Sequence, residues 1–326
     1  MFAVVLVGGF GTRLRPLTND IPKPLLPLGQ RTILECLMDQ LSRGGVTDAV
    51  LALGFKPEPF LAAYPDARCA GVRLHYAIES TPLDTAGAIG FAARFVGLHE
   101  QSEAFVVANG DIVCDLSIRE LIDQHRVNVQ SGAQATIHLT PVDDPSQYGV
   151  VRFEASASRP GGRVGGFVEK PTSGTVTSRY VNAGTYVFES SVLQHLPGDA
   201  PLSVERVTFP LLVERGELFA HPTDDYWLDA GRPDTYVRAN LDLVGGVRRE
   251  RDVAIHPSAQ VHVHAAVNDS VVGAGATIAD GARVSNSVVF PNATVGAGAQ
   301  VHGCAVLGNV PDGVMVRDTL VGSEGV

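Results

Sequence analysis

The sequence predicts two parts: an α/β domain with a mostly parallel sheet over residues 1–246, then a short parallel β-helix over residues 247–326. Three observations predict this. Apolar runs of strand length alternate with helical stretches as far as about residue 245, the texture of a sheet covered by helices. After Gly245-Gly246 helical spacing stops, and small residues, Gly, Asn and Asp alternate with Val and Ile. In that tail the aliphatic residues return with a period of six.

In the first part, strands are expected at residues 3–7, 48–53, 72–78, 104–108, 134–139, 149–153, 164–169 and 181–188. Ile33, Leu34, Leu37, Met38 and Leu41 recur at helical spacing and stop at Gly44-Gly45, a helix with its C-terminal signal in place. Residues 117–128 and the stretch from Pro233 to Leu243, with proline in its first turn, are read as helices for the same reasons. In the tail the repeat runs Ile255, Val261, Val267, then Val272, Ile278, Val284, then Val289, Val295, Val301, Leu307. These positions lie six apart within a run and five between runs. Aliphatic residues stacking inward, three short faces to a coil, account for that spacing. Ten positions predict about three coils.

Composition narrows the function. With 45% hydrophobic and 18% charged residues the chain is an ordinary globular one, and no apolar run reaches the roughly 20 residues a bilayer requires. A net charge of −10 disfavours a nucleic-acid partner, which needs a basic face. Phe2-Ala3-Val4-Val5-Leu6-Val7 has no basic segment before it and no cleavage site after it, so it reads as the first buried strand, and a cytoplasmic location is expected. Cys36, Cys69, Cys114 and Cys304 show no paired spacing and read as small core residues. His256, His262 and His264 fall at outward-facing positions of the tail, where any polar residue is accepted and no metal is expected. The tail is expected to be structural or to join copies of the chain into a homo-oligomer, a dimer or higher.

The most informative segment is Gly8-Gly9-Phe10-Gly11-Thr12-Arg13-Leu14-Arg15-Pro16-Leu17-Thr18, followed by Ile21-Pro22-Lys23-Pro24-Leu25. A strand running into three glycines brings backbone amides close to an anion. No Gly-Lys-Ser/Thr follows, so this is no Walker A loop, and Leu14 stands where a dinucleotide fingerprint needs its third glycine. The remaining reading is a site of chemistry at the phosphates, where fixed cations offset anionic groups brought together. Arg13 and Lys23 supply them, while Arg15 reads equally well as a helix-flanking charge.

This segment resembles the signature of the sugar-1-phosphate nucleotidylyltransferases, within them the mannose-1-phosphate guanylyltransferase branch, and the likeness covers nearly the whole chain. The resemblance implies a Rossmann-like nucleotidyltransferase domain followed by a left-handed parallel β-helix. It implies that Leu6, Gly8, Gly9, Gly11, Thr12, Arg13, Glu79, Asp84, Gly87 and Asp111 line the nucleotide, with Arg13, Lys23 and Asp111 catalytic.

Asp111 ends the run Ala104 to Asp111 at the carboxyl end of a strand, where open α/β sheets place ligands, although a turn residue would look the same. Mg²⁺ commonly takes one or two carboxylates plus phosphate oxygens, so a partner acid is expected. Asp229 in Tyr226-Trp227-Leu228-Asp229-Ala230-Gly231 is the candidate, its alternative role being the cap of the helix near Pro233. The resemblance chooses the metal for both. Glu169-Lys170 sets an acceptor for sugar hydroxyls beside a cation for a sugar phosphate, and the family uses the matching pair so. Gly149 and Asn182 match family segments that contact the sugar; alone they read as strand-start and turn residues.

Glu79 bears on the base. A carboxylate accepts both N1–H and the exocyclic amine of guanine, which favours GTP over thymidine or uridine donors. Where the family usually has glycine this chain has Asp84, which puts pocket shape in question. The expected partners are therefore a nucleoside triphosphate, GTP favoured, and mannose-1-phosphate or a related sugar or cyclitol phosphate. Thymidylyl, adenylyl or uridylyl transfer to glucose-1-phosphate is the alternative within the class. Outside it stand a non-catalytic regulatory subunit, an oxidoreductase and a structural scaffold.

Overall fold

The computed structural model describes residues 1–9, 11–54, 57–155, 161–172 and 178–326. Phe10 of the glycine-rich segment lies outside them. By their contacts the residues form two compact units, one of 1–9, 37–110 and 116–227, the other of 10–36, 111–115 and 228–326.

The first unit is built on a ten-stranded sheet. Its strands are β1 (Phe2–Leu6), β2 (Asp48–Leu53), β3 (Arg68–Cys69), β4 (Val72–Ile78), β5 (Phe105–Asn109), β6 (Ala135–Pro141), β7 (Gly149–Phe153), β8 (Gly162–Glu169), β9 (Tyr180–Phe188) and β10 (Leu218–Pro222). They lie in the order β7-β8-β10-β6-β9-β5-β1-β2-β4-β3. The sheet is mixed. The Rossmann-like part β5-β1-β2-β4 is parallel, as is the β10–β6 pair, while β9 runs antiparallel to both β5 and β6. Central strands read as continuous apolar runs because both faces are covered: Ala3, Val4 and Val5 of β1 and Val106 to Ala108 of β5 are fully buried. Strand order reverses between β1 and β5, since β2 and β4 add on one side of β1 and β5 on the other. Ligands of open α/β sheets bind outside the strand ends at such a reversal.

Helix α1 (Ile33–Arg43) starts where expected, on a reciprocal cap. Thr32 Oγ1 accepts from Glu35 N–H at 3.1 Å, and Glu35 Oε2 accepts from Thr32 N–H at 2.7 Å. Helix α3 (Ile118–Val129) has Ser117 as its cap, accepting from Glu120 N–H. Between them α2 (Asp84–Phe95) is a helix that apolar periodicity barely announces, because its buried face, Ile89 apart, is Ala86, Gly87, Ala88, Gly90, Ala92 and Ala93. Small residues carry little amphipathic contrast, but they let backbones approach. A Cβ on Gly87 would meet Ala200 O at 2.5 Å, and one on Gly90 would meet Leu196 O at 2.8 Å.

The second unit holds residues 10–36, helix α4 (Pro233–Val244) and the hexapeptide tail. The tail forms three parallel four-stranded sheets, one for each face of a β-helix. Val261, Ile278, Val295 and Val310 stack on one face, Val267, Val284, Val301 and Val316 on the second, and Val272, Val289, Val306 and Val321 on the third. Two expectations are corrected. There are four coils and not about three, and after Val301 the inward position is Val306, fully buried, with Leu307 half-exposed beside it. The step to the third face is five residues, so a series extended by six picks the neighbour of the stacking residue.

Residues 10–36 are tied to α4 and to the tail. Asn240 Oδ1 accepts from Gly29 N–H at 2.8 Å, Tyr236 Oη donates to Pro27 O at 2.6 Å, and Gln30 Nε2 donates to Val253 O and Val272 O, each at 3.1 Å. Ser323 Oγ donates to Asp20 Oδ2 at 2.7 Å. Arg248, buried, bonds to Asp115 Oδ1 through Nη2 at 2.9 Å and Nε at 3.0 Å. All four cysteines are buried, and none forms a disulfide among the described residues. No helix among the described residues is long and apolar enough to cross a membrane.

Candidate active site

The predicted residues fall into groups that can be built up within each unit. In the second unit Lys23, Asp111 and Asp229, separated by 88 and 206 positions in the chain, come together. Lys23 opens a 3-10 turn between Pro22 and Pro24, and its side chain is buried, only 6% of the residue being exposed. Nζ donates to Asp111 Oδ2 at 3.0 Å and to Asp229 Oδ1 at 3.3 Å. Asp229 ends a short strand, Trp227–Asp229, paired with Ile112–Cys114, which sets the two aspartates near one another. It is not the cap of α4; Thr235 Oγ1 accepts from Arg232 N–H there. A Cβ on Gly231 would lie 2.8 Å from Asp229 Oδ1 and 3.1 Å from Lys23 Nζ, so glycine makes room for the group. Both aspartates keep a solvent-facing part while sharing one buried cation. Two carboxylates with open oxygens suit a hard divalent ion that completes its shell with water and phosphate oxygens.

Arg13 and Thr12 lie exposed on the 3-10 turn Thr12–Leu14, and Arg13 makes no ion pair with a described residue. The turn is entered through Gly11 at φ +57°, where a Cβ would crowd Thr18 Cγ2 at 2.9 Å; Thr18 Oγ1 donates to Gly11 O at 2.7 Å. Backbone conformation therefore requires Gly11. Gly8 and Gly9, in the first unit, differ. No described atom lies within 4 Å of a Cβ on Gly9, and one on Gly8 meets Gly54 at ordinary contact distance, so protein packing does not account for either. Leu6 ends β1, and its carbonyl accepts from Gly110 N–H at 2.8 Å.

Still in the first unit, Glu79 follows β4 and is half-buried. Its Oε2 accepts from Leu83 N–H at 3.1 Å, which fixes the carboxylate, and burial raises its pKa against the lowering by that bond. Asp84 opens α2 at φ +54°, the left-handed region. Aspartate tolerates that region better than most residues, and its Oδ1 accepts from Thr85 N–H at 2.7 Å. Gly87 is buried, its amide donates to Leu202 O at 3.2 Å, and its smallness answers to Ala200.

Glu169, Lys170 and Gly149 also meet. Gly149 pairs with Glu169 across β7 and β8, and a Cβ there would lie 2.8 Å from Glu169 Oε2. Lys170 turns at φ +46°, which ends the strand and lets Nζ come within 3.6 Å of Glu169 Oε1, with the side chain 57% exposed. Burial raises the pKa of Glu169, the nearby charge of Glu205 raises it further, and Lys170 and Arg206 oppose them. Asn182 sits at a bulge in β9; Oδ1 accepts from Gly184 N–H and Nδ2 donates to Tyr186 Oη, both at 3.0 Å, so much of its capacity holds the strand. Near this segment Trp227 Nε1 donates to Ala183 O at 3.0 Å and its ring meets Tyr148 edge-on at 5.4 Å.

Sequence reading missed Glu205. It lies in a π-helical turn, Val204–Thr208, and its Oε2 accepts from Thr85 Oγ1 at 2.7 Å and Ser203 Oγ at 2.9 Å. Thr85 Oγ1 accepts in turn from Val204 N–H at 2.9 Å. The turn thus braces the first turn of α2 and bears electrostatically on Glu169. Ser203-Val204-Glu205-Arg206 carried a capping signal at most, and nothing local placed it against residue 85.

Comparison with known proteins now identifies the family. Residues 2–245 match the family described as nucleotidyl transferase, and residues 251–322 match that described as GlmU-like, C-terminal hexapeptide. A mannose-1-phosphate guanyltransferase of Hypocrea jecorina is 34% identical over 267 residues, 81% of this chain and 70% of that protein. Mannose-1-phosphate guanyltransferase beta-B of Xenopus laevis is 35% identical over 257 residues, 78% of this chain and 68% of that protein. Among solved structures, HddC from Yersinia pseudotuberculosis complexed with GMP-PN is 28% identical with a TM-score of 0.58, covering 73% of this chain and 97% of that one. A Bacillus anthracis structure assigned as a glucose-1-phosphate thymidylyltransferase is 25% identical with a TM-score of 0.63, covering 74% and 94%. The chain belongs to the nucleotidyl transferase family, as an enzyme of the sugar-1-phosphate nucleotidyltransferase kind.

Proposed function

We propose that the chain transfers GMP from GTP to mannose-1-phosphate or a closely related sugar phosphate and releases pyrophosphate. The observation that carries the reading is the Lys23–Asp111–Asp229 group, a buried cation between two partly open carboxylates. The curated relatives' names and the GMP-PN complex of HddC support guanine, and the fixed carboxylate of Glu79 is the group that would accept from its N1–H and exocyclic amine.

Nucleotidyltransferases of this family generally use a divalent metal ion. Asp111 and Asp229 would hold Mg²⁺, which when bound neutralises charge on the phosphates. The reaction is an in-line displacement. An oxygen of the sugar phosphate forms a bond to the α-phosphorus as the bond to the pyrophosphate oxygen breaks, and pyrophosphate leaves with that electron pair. Arg13, exposed and unpaired with described acids, offsets charge on the leaving group. Lys23 holds the two aspartates in place and adds fixed positive charge. Gly8 and Gly9 admit the phosphates to the backbone. Glu169 accepts from sugar hydroxyls, Lys170 pairs with the sugar phosphate, and Gly149 and Asn182 shape the sugar's seat.

A pyrophosphate-release assay over GTP, ATP, UTP and dTTP against mannose-, glucose- and related 1-phosphates tests this. GTP with mannose-1-phosphate should lead; a clear lead for dTTP or ATP overturns the base assignment. Asp111→Asn should abolish release while the circular dichroism spectrum is retained, and full activity in that variant would sink the metal assignment.

A further inference from the structure

The first coil of the β-helix carries His262 and His264 at the corner between strands Gln260–Val261 and Ala266–Asn268. The sequence reads them as solvent-facing polar residues. One coil on, the chain brings Asp280 to the same corner, as the pairing of Val261 with Ile278 requires. Nδ1 of His262 and Nδ1 of His264 each lie 3.0 Å from one atom, Asp280 Oδ1. Among the described residues this is the one group of three or more His, Cys, Asp or Glu whose donor atoms lie within 4.8 Å of one another.

We propose that His262, His264 and Asp280 form a binding site for a divalent transition metal, separate from the Asp111–Asp229 pair, that fastens the first coil to the second. Ligand atoms about 2.0–2.1 Å from a zinc ion stand roughly 3 Å apart, the separation found along both His–Asp edges. Two imidazoles and one carboxylate select the zinc, nickel and copper group over Mg²⁺ or Ca²⁺, which take oxygen donors. The hydrogen bonding points the same way. The His264 amide N–H donates to His262 Nδ1 at 3.3 Å, which requires the lone pair on that nitrogen. Asp280 Oδ1, hydrogen-bonded to His264 Nδ1 at 3.0 Å, then faces His262 Nδ1 acceptor to acceptor, an arrangement that a cation relieves. The two imidazoles are exposed, their side chains 44% and 72% open to solvent, so an ion reaches them directly from water.

The location supplies a reason. A terminal coil of a solenoid stacks on one side only and needs another fastening. The first coil is thinly covered here: Ile255 is 41% exposed where its counterpart one coil on, Val272, is fully buried, and Val261 is partly exposed where Ile278 and Val295 are buried. Three protein ligands leave coordination positions to water, so the site would tie coils together without a closed cage.

The test is calorimetric titration of the EDTA-stripped full-length chain with ZnCl₂ in the absence of nucleotide. One equivalent should bind at low-micromolar concentration, weakening at least tenfold in His264→Ala and in Asp280→Ala, both exposed positions. His256→Ala, a neighbouring imidazole outside the group, should bind as the parent does. Any Zn²⁺ taken by Asp111 and Asp229 persists in every variant and is subtracted. Zn²⁺ should also slow amide exchange across residues 255–268 in the parent and leave it unchanged in the two variants. Zn²⁺ binding of equal strength in parent and variants, or none in the parent, overturns the proposal.

Discussion

Two lysine–carboxylate groups stand in different parts of this molecule, and they are built in opposite ways. Lys23 is buried and bridges two aspartates. Lys170 is 57% exposed and leans on one half-buried glutamate at 3.6 Å. A buried cation cannot be left without its anions, nor they without it, because desolvated charges have no water to fall back on. An exposed cation already has water and exchanges it for a substrate phosphate at little cost. The first arrangement suits a fixed charge in the catalytic centre, the second a residue that captures a mobile ligand.

Breaking the buried group should have the largest effect. Lys23→Ala leaves Asp111 and Asp229 facing each other without their cation, and kcat/KM for pyrophosphate release should fall about 10³-fold or more. A loss under tenfold would make Lys23 a loop residue and end the contrast.

The next test concerns the glutamate beside the exposed lysine. Burial, then Glu205, raise the pKa of Glu169, and in the role proposed for it the ionised form would accept from sugar hydroxyls. As pH falls through that raised value, kcat/KM for the sugar phosphate should fall, at higher pH than an ordinary glutamate gives. Glu205→Gln removes one raising charge, so the acid limb should shift to lower pH; a limb that stays put would cut Glu205 out of the site. Lys170→Ala should then raise KM for the sugar phosphate about tenfold, one charge-assisted contact, with kcat little changed. Thermal stability should stay within about 0.5 kcal/mol, because the side chain is largely solvated.

The smallest effect belongs to Asp84→Gly. Relief of the left-handed backbone and loss of the bond to Thr85 N–H oppose each other, so stability should change by at most about 1 kcal/mol. If preference among the four triphosphates is also unchanged, Asp84 is a backbone substitution and not a base-selecting one.

The elements legible in sequence were those with strong contrast. Strands at 48–53, 72–78 and 149–153 stand where their apolar runs lie, and α1 covers the helical spacing of Ile33, Leu34, Leu37, Met38 and Leu41. Helix α2 was hidden by its small residues, β10 by the histidine and proline, His221 and Pro222, that interrupt its apolar run, and the fourth coil by the step of four from Val306 to Val310 that breaks the repeat. In the candidate site the glycine-rich segment and the acids were legible as residue types. That Gly11 serves a backbone turn while Gly9 has open space around it was not, since both are simply glycine in the sequence.

Sequence by itself determined the fold class and the hexapeptide tail, and it singled out the glycines, cations and acids of the candidate site, because local spacing and side-chain chemistry are written residue by residue. Only the tertiary structure decided which of them share a charge. Lys23 meets Asp229 across 206 positions, Thr85 meets Glu205 across 120, and the imidazole of His264 meets Asp280 across 16. Such meetings depend on strand order and coil register, sums over the whole chain that no local pattern contains.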